Sequence, residues 1–154
     1  MSKTMPMQML QGFNILVVED MESVRTLIVR LVEGLGAESV CSAMDVDTGL
    51  TALESQVFDA VLLDYELGGR DGIEILTAIR NNRVHPNHKT PVVLLTGHAE
   101  SHVVNEAVMA GANGYLVKPV MPEVLGKRLR KVIAAHEENL GGNPATEVVW
   151  RRTI

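Results

Sequence analysis

The sequence predicts a three-layer α/β fold in which helices cover both faces of a five-stranded parallel sheet. Strand-length apolar runs alternate five times with segments whose apolar residues have helical spacing. Most of these runs are unbroken stretches of Val, Leu and Ile, which is typical of parallel strands buried on both faces. The 154 residues, 46% of them apolar, suit one domain with one core.

Five segments are predicted to be strands: 13–18, 38–43, 59–63, 91–95 and 114–117. The segment 38–43 has the weakest strand pattern, whereas the others are compact apolar runs. A helical pattern lies between each run and the next, so we expect right-handed crossovers between parallel strands.

The helices are predicted from apolar spacing together with start and stop signals. The first contains Val24, Leu27, Ile28, Leu31 and Leu35, with Gly34 and Gly36 as its stop. The second helix is predicted over about 47–55, and the third begins at a capping box of Asp71 and Glu74. The fourth is predicted over about 100–109, and the fifth from Pro122 to near His136.

Composition argues against several classes of function. A net charge of −5 is unfavourable for direct nucleic-acid binding, which needs clustered Lys and Arg. No apolar run approaches the roughly 20 residues of a membrane helix, so no membrane insertion is expected. The N-terminus lacks the apolar block of a signal peptide, and the one cysteine, Cys41, cannot form an internal disulfide. The cytoplasm is therefore the predicted location.

The chain is predicted to have three parts: a flexible arm at 1–11, the folded domain at 12–137 and a tail at 138–154. The tail is too short for a DNA-binding or enzymatic output domain. We therefore expect a stand-alone domain that acts through contacts with other proteins. Trp150, in a chain poor in aromatic residues, suggests that the tail packs on the domain or holds a dimer.

Polar residues follow four of the predicted strands, at the end where an open parallel sheet gathers functional groups. They are Glu19 and Asp20 after the first strand, Asp64 after the third, Thr96 after the fourth and Lys118 after the fifth. Carboxylates crowded on one rim need a cation or bound protons, and oxygen ligands on a semi-open rim suit Mg²⁺. The set predicts a magnesium site beside groups that can hold a phosphoryl group.

Each of these residues also has an ordinary explanation when it is taken alone. Asp64 fits a turn, Asp20 fits a helix cap and Lys118 fits a solvated surface. The functional interpretation is preferred because the groups belong to one rim.

Four segments resemble those of response-regulator receiver domains, a family that includes the chemotaxis response regulator. The segments are VVED (17–20), LLDYELGGRDGIEIL (62–76), LLTGHA (94–99) and GANGYLVKP (111–119). The resemblance covers roughly residues 13–137, and it implies a flavodoxin-like sheet of strand order 2-1-3-4-5.

The resemblance implies a shared role for the acidic residues. Asp64 is the expected phosphate acceptor and also a magnesium ligand. Asp20 is expected to bind Mg²⁺ directly, Glu19 mostly through water, and Glu66 through its backbone carbonyl.

Further roles come from the same resemblance. Thr96 is expected to hydrogen-bond one phosphoryl oxygen, and Lys118 is expected to pair with another. Tyr115 matches the aromatic switch position, which moves inward on phosphorylation. The Lys118–Pro119 peptide bond is expected to be cis.

Signalling by phosphoryl transfer is the function that the resemblance implies. The expected donor is the phosphohistidine of a sensor histidine kinase or of a histidine phosphotransfer protein. The expected output is a change in the face formed by the fourth helix, fifth strand and fifth helix, which a downstream protein target reads. A homodimer is a further expected assembly. The chain is not expected to be an enzyme, apart from catalysing its own phosphorylation and dephosphorylation.

The sequence departs from the family pattern just after the acceptor. Family members usually have Met-Pro or a similar pair where this chain has two glycines at 68–69, which favours a more mobile loop. Glu66 and His98 stand two residues after Asp64 and Thr96, where family members set the lifetime of the phosphate. We expect these two side chains to tune that lifetime.

Alternatives from other classes remain. A receiver-like scaffold that is never phosphorylated would be expected to lack a rim residue, and none is missing. A flavodoxin-like module for a nucleotide or flavin needs a Gly/Ser/Thr-rich loop after the first strand, where this chain has EDMES. An aspartate-nucleophile phosphatase would carry its nucleophile after the first strand.

Overall fold

The computed structural model describes residues 9–97 and 100–140. Its main sheet consists of β1 (Asn14–Val18), β2 (Ser39–Ala43), β3 (Ala60–Asp64), β6 (Val92–Thr96) and β7 (Gly114–Val117). Two short strands, β4 (Glu66–Leu67) and β5 (Arg70–Asp71), form a separate hairpin. The helices are α1 (Glu22–Gly34), α2 (Val46–Ser55), α3 (Ile73–Arg80), α4 (Ser101–Ala110) and α5 (Pro122–Leu140).

The main sheet is parallel throughout, and its strands lie in the order β2-β1-β3-β6-β7. Numbered along the chain within this sheet, the order is 2-1-3-4-5, which confirms the predicted fold class and strand order. The register pairs Asp64 with Leu95 and Thr96 with Val117, so neighbouring strands end side by side. We call the edge where β1, β3, β6 and β7 end the carboxyl rim.

Helices cover both faces of the sheet because successive residues of a strand point to opposite faces. Ile15 and Val17 of β1 pack in one buried cluster with α1 and α5. Leu16 and Val18 pack in the other cluster with α2, α3 and α4. The central strands β3 and β6 are buried along their whole length. Within the described ranges, no helix combines the length and apolarity that a membrane crossing requires.

Two boundaries of the folded unit differ from the prediction. Leu10, placed in the flexible arm, is fully buried in the α1–α5 cluster, and its N–H donates to the carbonyl of Leu35. Helix α5 continues to Leu140, past the predicted boundary at 137. An isolated leucine and a charged helix end have no apolar period, so neither was predictable from spacing. Trp150 and the rest of the chain after 140 lie outside the described residues.

Helix capping also differs from the prediction. Asp71 accepts a hydrogen bond of 2.7 Å from a backbone N–H in the first turn of α3, as expected, but Glu74 pairs chiefly with Arg70. A reciprocal capping box instead begins α2. There the Asp45 carboxylate accepts from the Thr48 N–H at 2.8 Å, and the Thr48 hydroxyl accepts from the Asp45 N–H at 3.2 Å.

The segment after β3 forms a hairpin where the sequence predicts a mobile loop. Strands β4 and β5 pair across Gly68 and Gly69, whose φ angles of 59° and 87° suit a two-residue hairpin turn. Arg70 bonds to Asp47 of α2 at 3.2 Å and to Glu74 of α3 at 2.9 Å. Exposed ion pairs contribute little individually, but these two connect the hairpin to two helices.

A hydrogen-bond network lies at the opposite edge of the sheet, and we call it the amino-edge network. The Arg80 guanidinium donates to three backbone carbonyls and to the side chain of Asn113, at 2.7–3.1 Å. Burial lowers the pKa of Arg80 to about 10, so the group remains charged at neutral pH. Asn87 is fully buried; it donates to two carbonyls and accepts from a backbone N–H and from the Thr90 hydroxyl.

Candidate functional site

The fold brings the five predicted rim residues together. Glu19 and Asp20 follow β1 directly, Asp64 and Thr96 are the last residues of β3 and β6, and Lys118 follows β7. The backbone N–H of Lys118 donates to the Thr96 carbonyl at 2.8 Å, which joins the ends of β6 and β7. The convergence follows from the parallel register, because it places the ends of these strands at one edge.

The ammonium of Lys118 contacts two carboxylates at once. Its Nζ lies 2.8 Å from Oε1 of Glu19 and 2.9 Å from Oδ2 of Asp64. Burial disfavours the charged ammonium, but the hydrogen bonds and the charges of these two carboxylates outweigh it, so the pKa of Lys118 is raised. The ammonium is therefore firmly protonated at neutral pH.

The three carboxylates form a compact cluster. Glu19, Asp20 and Asp64 each offer an oxygen, and these oxygens all lie within 4.8 Å of one another. Glu19 is fully buried and Asp64 is 4% exposed, whereas Asp20 is not buried. These residues carry three formal negative charges, and Lys118 places one positive charge in direct contact with two of them. The donors are all hard oxygen atoms and one side of the cluster reaches solvent, so the residues fit Mg²⁺ with some of its waters retained.

The remaining oxygens of the buried acids are held by backbone N–H groups. Oδ1 of Asp64 accepts from the N–H of Glu66 at 3.2 Å, and Oε2 of Glu19 accepts from the N–H of Met21 at 3.1 Å. Each acid thus has one oxygen on the ammonium and one on the backbone. The two carboxylates are held in fixed orientations before any ligand binds.

Arg25 is a residue of the site that the sequence alone did not indicate. Its guanidinium, on α1, donates to the carbonyl of Glu19 at 3.0 Å and reaches the carbonyl of Asp20 at 3.5 Å. It therefore holds the turn that carries both acids. The spacing of five and six residues across a helix start is not a motif that identifies such a contact.

Gly72 is a second residue of the site that was missed. A Cβ atom at this position would overlap the carbonyl oxygen of Asp64, so the close approach of α3 to the end of β3 requires glycine. The N–H of Gly72 donates to the Tyr65 carbonyl at 2.7 Å. The capping box of Asp71 and Glu74 predicts a helix start here, and that pattern carries no sign of the packing role of Gly72.

Thr96 and Tyr115, two other predicted residues, differ in their position relative to the acid cluster. Thr96 is 1% exposed and ends the strand beside Asp64. Tyr115, on β7, is half-buried. It pairs with Leu94 of β6 and packs on the cluster of α2, α3 and α4. It is not one of the residues that contact the acids.

The structure describes one of the two residues that are predicted to set the lifetime of the phosphate. The side chain of Glu66 is exposed on β4, just after the acid cluster. His98 lies outside the described residues. The Lys118–Pro119 peptide bond is cis, as predicted.

Comparisons with known proteins identify the family of this chain. Residues 15–130 match the response regulator receiver domain family. The chain is 36% identical over 118 residues to the chemotaxis protein CheY of Pseudomonas aeruginosa, which covers 77% of this chain and 94% of that protein.

Solved structures are similar over the same region. A CheY-like receiver domain protein from Methanospirillum hungatei has a TM-score of 0.74 at 25% identity, covering 84% of this chain and 98% of that one. The receiver domain of a sensor histidine kinase from Pseudomonas aeruginosa has a TM-score of 0.71 at 30% identity, covering 80% of this chain and 98% of that one; it has a magnesium ion coordinated in its active-site cleft. This chain belongs to the receiver-domain family of two-component response regulators.

Proposed function

We propose that this receiver domain accepts a phosphoryl group on Asp64 and signals through a change of shape at a distant face. The observation that carries the proposal is the contact of one ammonium with two buried carboxylates, at 2.8 and 2.9 Å. It puts a cation beside a carboxylate nucleophile, at the position where phosphoryl oxygens need a positive charge.

In the proposed reaction a carboxylate oxygen of Asp64 attacks the phosphorus of a phosphohistidine, in line with the leaving nitrogen. The O–P bond forms as the P–N bond breaks, and the imidazole leaves with the bonding pair and takes a proton from water. The ammonium of Lys118 moves from carboxylate to phosphoryl oxygen, and the Thr96 hydroxyl donates to another phosphoryl oxygen. Water later hydrolyses the acyl phosphate.

The acid cluster would hold the metal for this reaction. Asp20 and Asp64 would bind Mg²⁺ through carboxylates, Glu66 through its carbonyl and Glu19 mostly through water. When bound, Mg²⁺ supplies charge neutralisation for the phosphoryl oxygens. Before the metal binds, the ammonium of Lys118 keeps the two buried acids partly balanced.

The phosphoryl group is proposed to act as a switch by drawing Thr96 toward it. Space then opens for the ring of Tyr115, and the face formed by α4, β7 and α5 changes shape. The partners on this proposal are a sensor histidine kinase or histidine phosphotransfer protein as donor and a downstream protein target as reader. Both interactions are proposed to take place in the cytoplasm, and a homodimer is a further proposed assembly.

Glu66 and His98 are proposed to set the lifetime of the phosphorylated form, because they stand two residues after Asp64 and Thr96. Glu66→Ala and His98→Ala should each change the half-life of the acyl phosphate. Half-lives equal to that of the wild-type protein in both variants would remove this part of the proposal.

The central test is intact mass after incubation with acetyl phosphate and Mg²⁺. We expect a gain of about 80 Da in the wild-type protein and none in Asp64→Ala. Glu54→Ala is the matched control, because it also removes one carboxylate but on the exposed face of α2. A wild-type chain that gains no mass under these conditions would favour the unphosphorylated scaffold instead.

A further inference from the structure

Tyr65, the residue after the acceptor, links the end of β3 to α4. Its phenol hydroxyl donates to the Glu106 carboxylate at 2.8 Å, across 41 residues of chain. Its backbone is held on both sides, because its N–H donates to the Leu95 carbonyl at 2.8 Å and its carbonyl accepts from the Gly72 N–H at 2.7 Å. A shift of the backbone next to Asp64 therefore changes the position of the ring that contacts α4.

A second carboxylate lies near the same hydroxyl. Asp71, at the end of the hairpin, and Tyr65 affect each other's pKa. Burial raises the pKa of Asp71, and the charges of Glu106 and Glu74 act in the same direction.

We propose that the Tyr65–Glu106 hydrogen bond holds α4 against the acceptor loop in the unphosphorylated protein and is weakened when Asp64 is phosphorylated. This inference rests on the proposed function. Phosphorylation replaces the single negative charge of the Asp64 carboxylate with a phosphoryl group of about −1.5 to −2 charges, a net gain of about −0.5 to −1. The added charge lies directly before Tyr65 in the chain, on the side where Asp71 and Glu106 already repel each other. Glu106 is repelled, and its hydrogen bond with the Tyr65 hydroxyl weakens.

Tyr65 is in this view a positioning residue, because it acts on α4 without touching the reacting atoms. Helix α4 is part of the face that is proposed to change on phosphorylation. The hydrogen bond converts a change of charge at Asp64 into a change in how α4 is held. Phosphoryl chemistry itself needs no contact with the Tyr65 hydroxyl.

Thermodynamic linkage fixes the sign of the effect. A contact that is stronger in the unphosphorylated form favours that form, so removing the contact must favour the phosphorylated one. The expected gain is about fivefold, which corresponds to a hydrogen bond with a net contribution of about 1 kcal/mol. An equilibrium probe is best suited to this measurement, because rates also depend on the transition state.

The experiment is a titration with beryllofluoride, a mimic of the phosphoryl group, in the presence of Mg²⁺ and followed by calorimetry. Tyr65→Phe and Glu106→Ala should each raise the affinity about fivefold, and the double variant should raise it no further. Glu106→Gln keeps an acceptor for the hydroxyl, so it should give a smaller gain than Glu106→Ala. Glu54→Ala on α2, also an exposed glutamate on a helix, should leave the affinity unchanged.

Hydrogen exchange supplies a second readout that a change in overall stability does not reproduce. In the unphosphorylated protein, the amides of α4 should exchange faster in Tyr65→Phe than in the wild-type protein, while those of α1 should not change. Urea unfolding of each variant checks that the fold is retained.

The outcomes separate this inference from the proposed function. If the wild-type chain gains about 80 Da from acetyl phosphate but Tyr65→Phe binds beryllofluoride with equal or lower affinity, the inference is overturned and the proposed function stands. Additive effects in the double variant would also overturn it, because the two side chains would then act separately. A wild-type chain that gains no mass overturns both.

Discussion

The two edges of the sheet both bury polar side chains, yet they differ in how the charges are balanced. At the amino edge, the Arg80 guanidinium is surrounded by carbonyl and amide oxygens, and Asn87 uses both its donor group and its acceptor oxygen. At the carboxyl rim, Glu19, Asp20 and Asp64 face a single ammonium from Lys118.

Burial by itself therefore does not identify a functional group in this protein. Glu19 and Asn87 are both fully buried, but the first belongs to a cluster with excess charge and the second to a network with matched donors and acceptors. A matched network fixes structure, whereas excess charge leaves a site that can take up a cation and then an anion. Substitutions at the two edges should affect different properties.

The largest effect is expected from Arg80→Met at the amino edge. The variant leaves three carbonyls and an amide oxygen without their donor, so the free energy of unfolding should fall by about 3–5 kcal/mol. Arg83→Met, on the exposed surface of the following loop, is the control. Urea unfolding measures the change. A large loss of phosphoryl labelling in folded Arg80→Met protein would contradict the division between the edges.

At the carboxyl rim, Lys118→Met should reduce function more than stability. Removing a preorganised cation from the proposed phosphoryl site should slow labelling by acetyl phosphate roughly 100-fold. Added Mg²⁺ should limit the loss of stability, because it can balance the same carboxylates. Lys127→Met on the exposed side of α5 serves as the control. A labelling rate equal to that of the control would sink the role proposed for the ammonium.

Gly72→Ala tests how closely the start of α3 approaches the backbone of Asp64. The added methyl group has to displace the carbonyl of Asp64, so we expect a loss of about 2 kcal/mol in the free energy of unfolding and slower labelling. Gly34→Ala is the matched control, since its Cβ would meet no atom within 4 Å. Equal stability of the two variants would show that the backbone relaxes without cost.

Arg25→Gln should act on the metal without removing a ligand. The turn that carries Glu19 and Asp20 would lose its guanidinium contacts, and Mg²⁺ affinity measured by calorimetry should fall about tenfold. Arg30→Gln, exposed on α1, changes the net charge equally and should leave the affinity close to that of the wild-type protein. Equal losses in both variants would mean that long-range charge, not positioning, is responsible.

The smallest effect concerns the titration of Tyr65. Its hydrogen bond to Glu106, with smaller effects of burial and of Asp71, raises its pKa to about 12. Because the folded-state pKa exceeds the ordinary value of 10, this contribution to stability is complete below pH 10 and is lost as pH rises toward 12. Carbon NMR of labelled tyrosine should show a lower pKa in Glu106→Ala, and an unchanged value would contradict the contact.

The sheet and the rim were predictable because both follow from local patterns. Unbroken apolar runs specify parallel strands, and the parallel register brings the ends of these strands together. Asp64, Thr96 and Lys118 could therefore be assigned to one edge from the sequence alone. The strand order came from the family resemblance. The chemical roles of these residues stay predictions, with His98 outside the described part of the chain.

The features that were missed are those that depend on packing between distant segments. The hairpin strands have two residues each, too few to show a period, and the glycines that turn it are equally common in open loops. Arg80 and Arg25 stand in helices as ordinary surface residues would. Apart from the Asn113 side chain, their acceptors are backbone carbonyls, which carry no signal in the sequence. Leu10 is a single apolar residue whose partners lie on α1 and α5.

Helix α5 has a consequence for how this domain can be joined to others. Its 19 residues span about 28 Å, starting just after the cis bond at the rim and running back along the sheet. Near its end, Glu137 lines the same cavity as Met9 and Gln11, so the two ends of the described chain meet there. A reporter protein could therefore receive residues 9–140 as an insertion, with both junctions close together and away from the acid cluster.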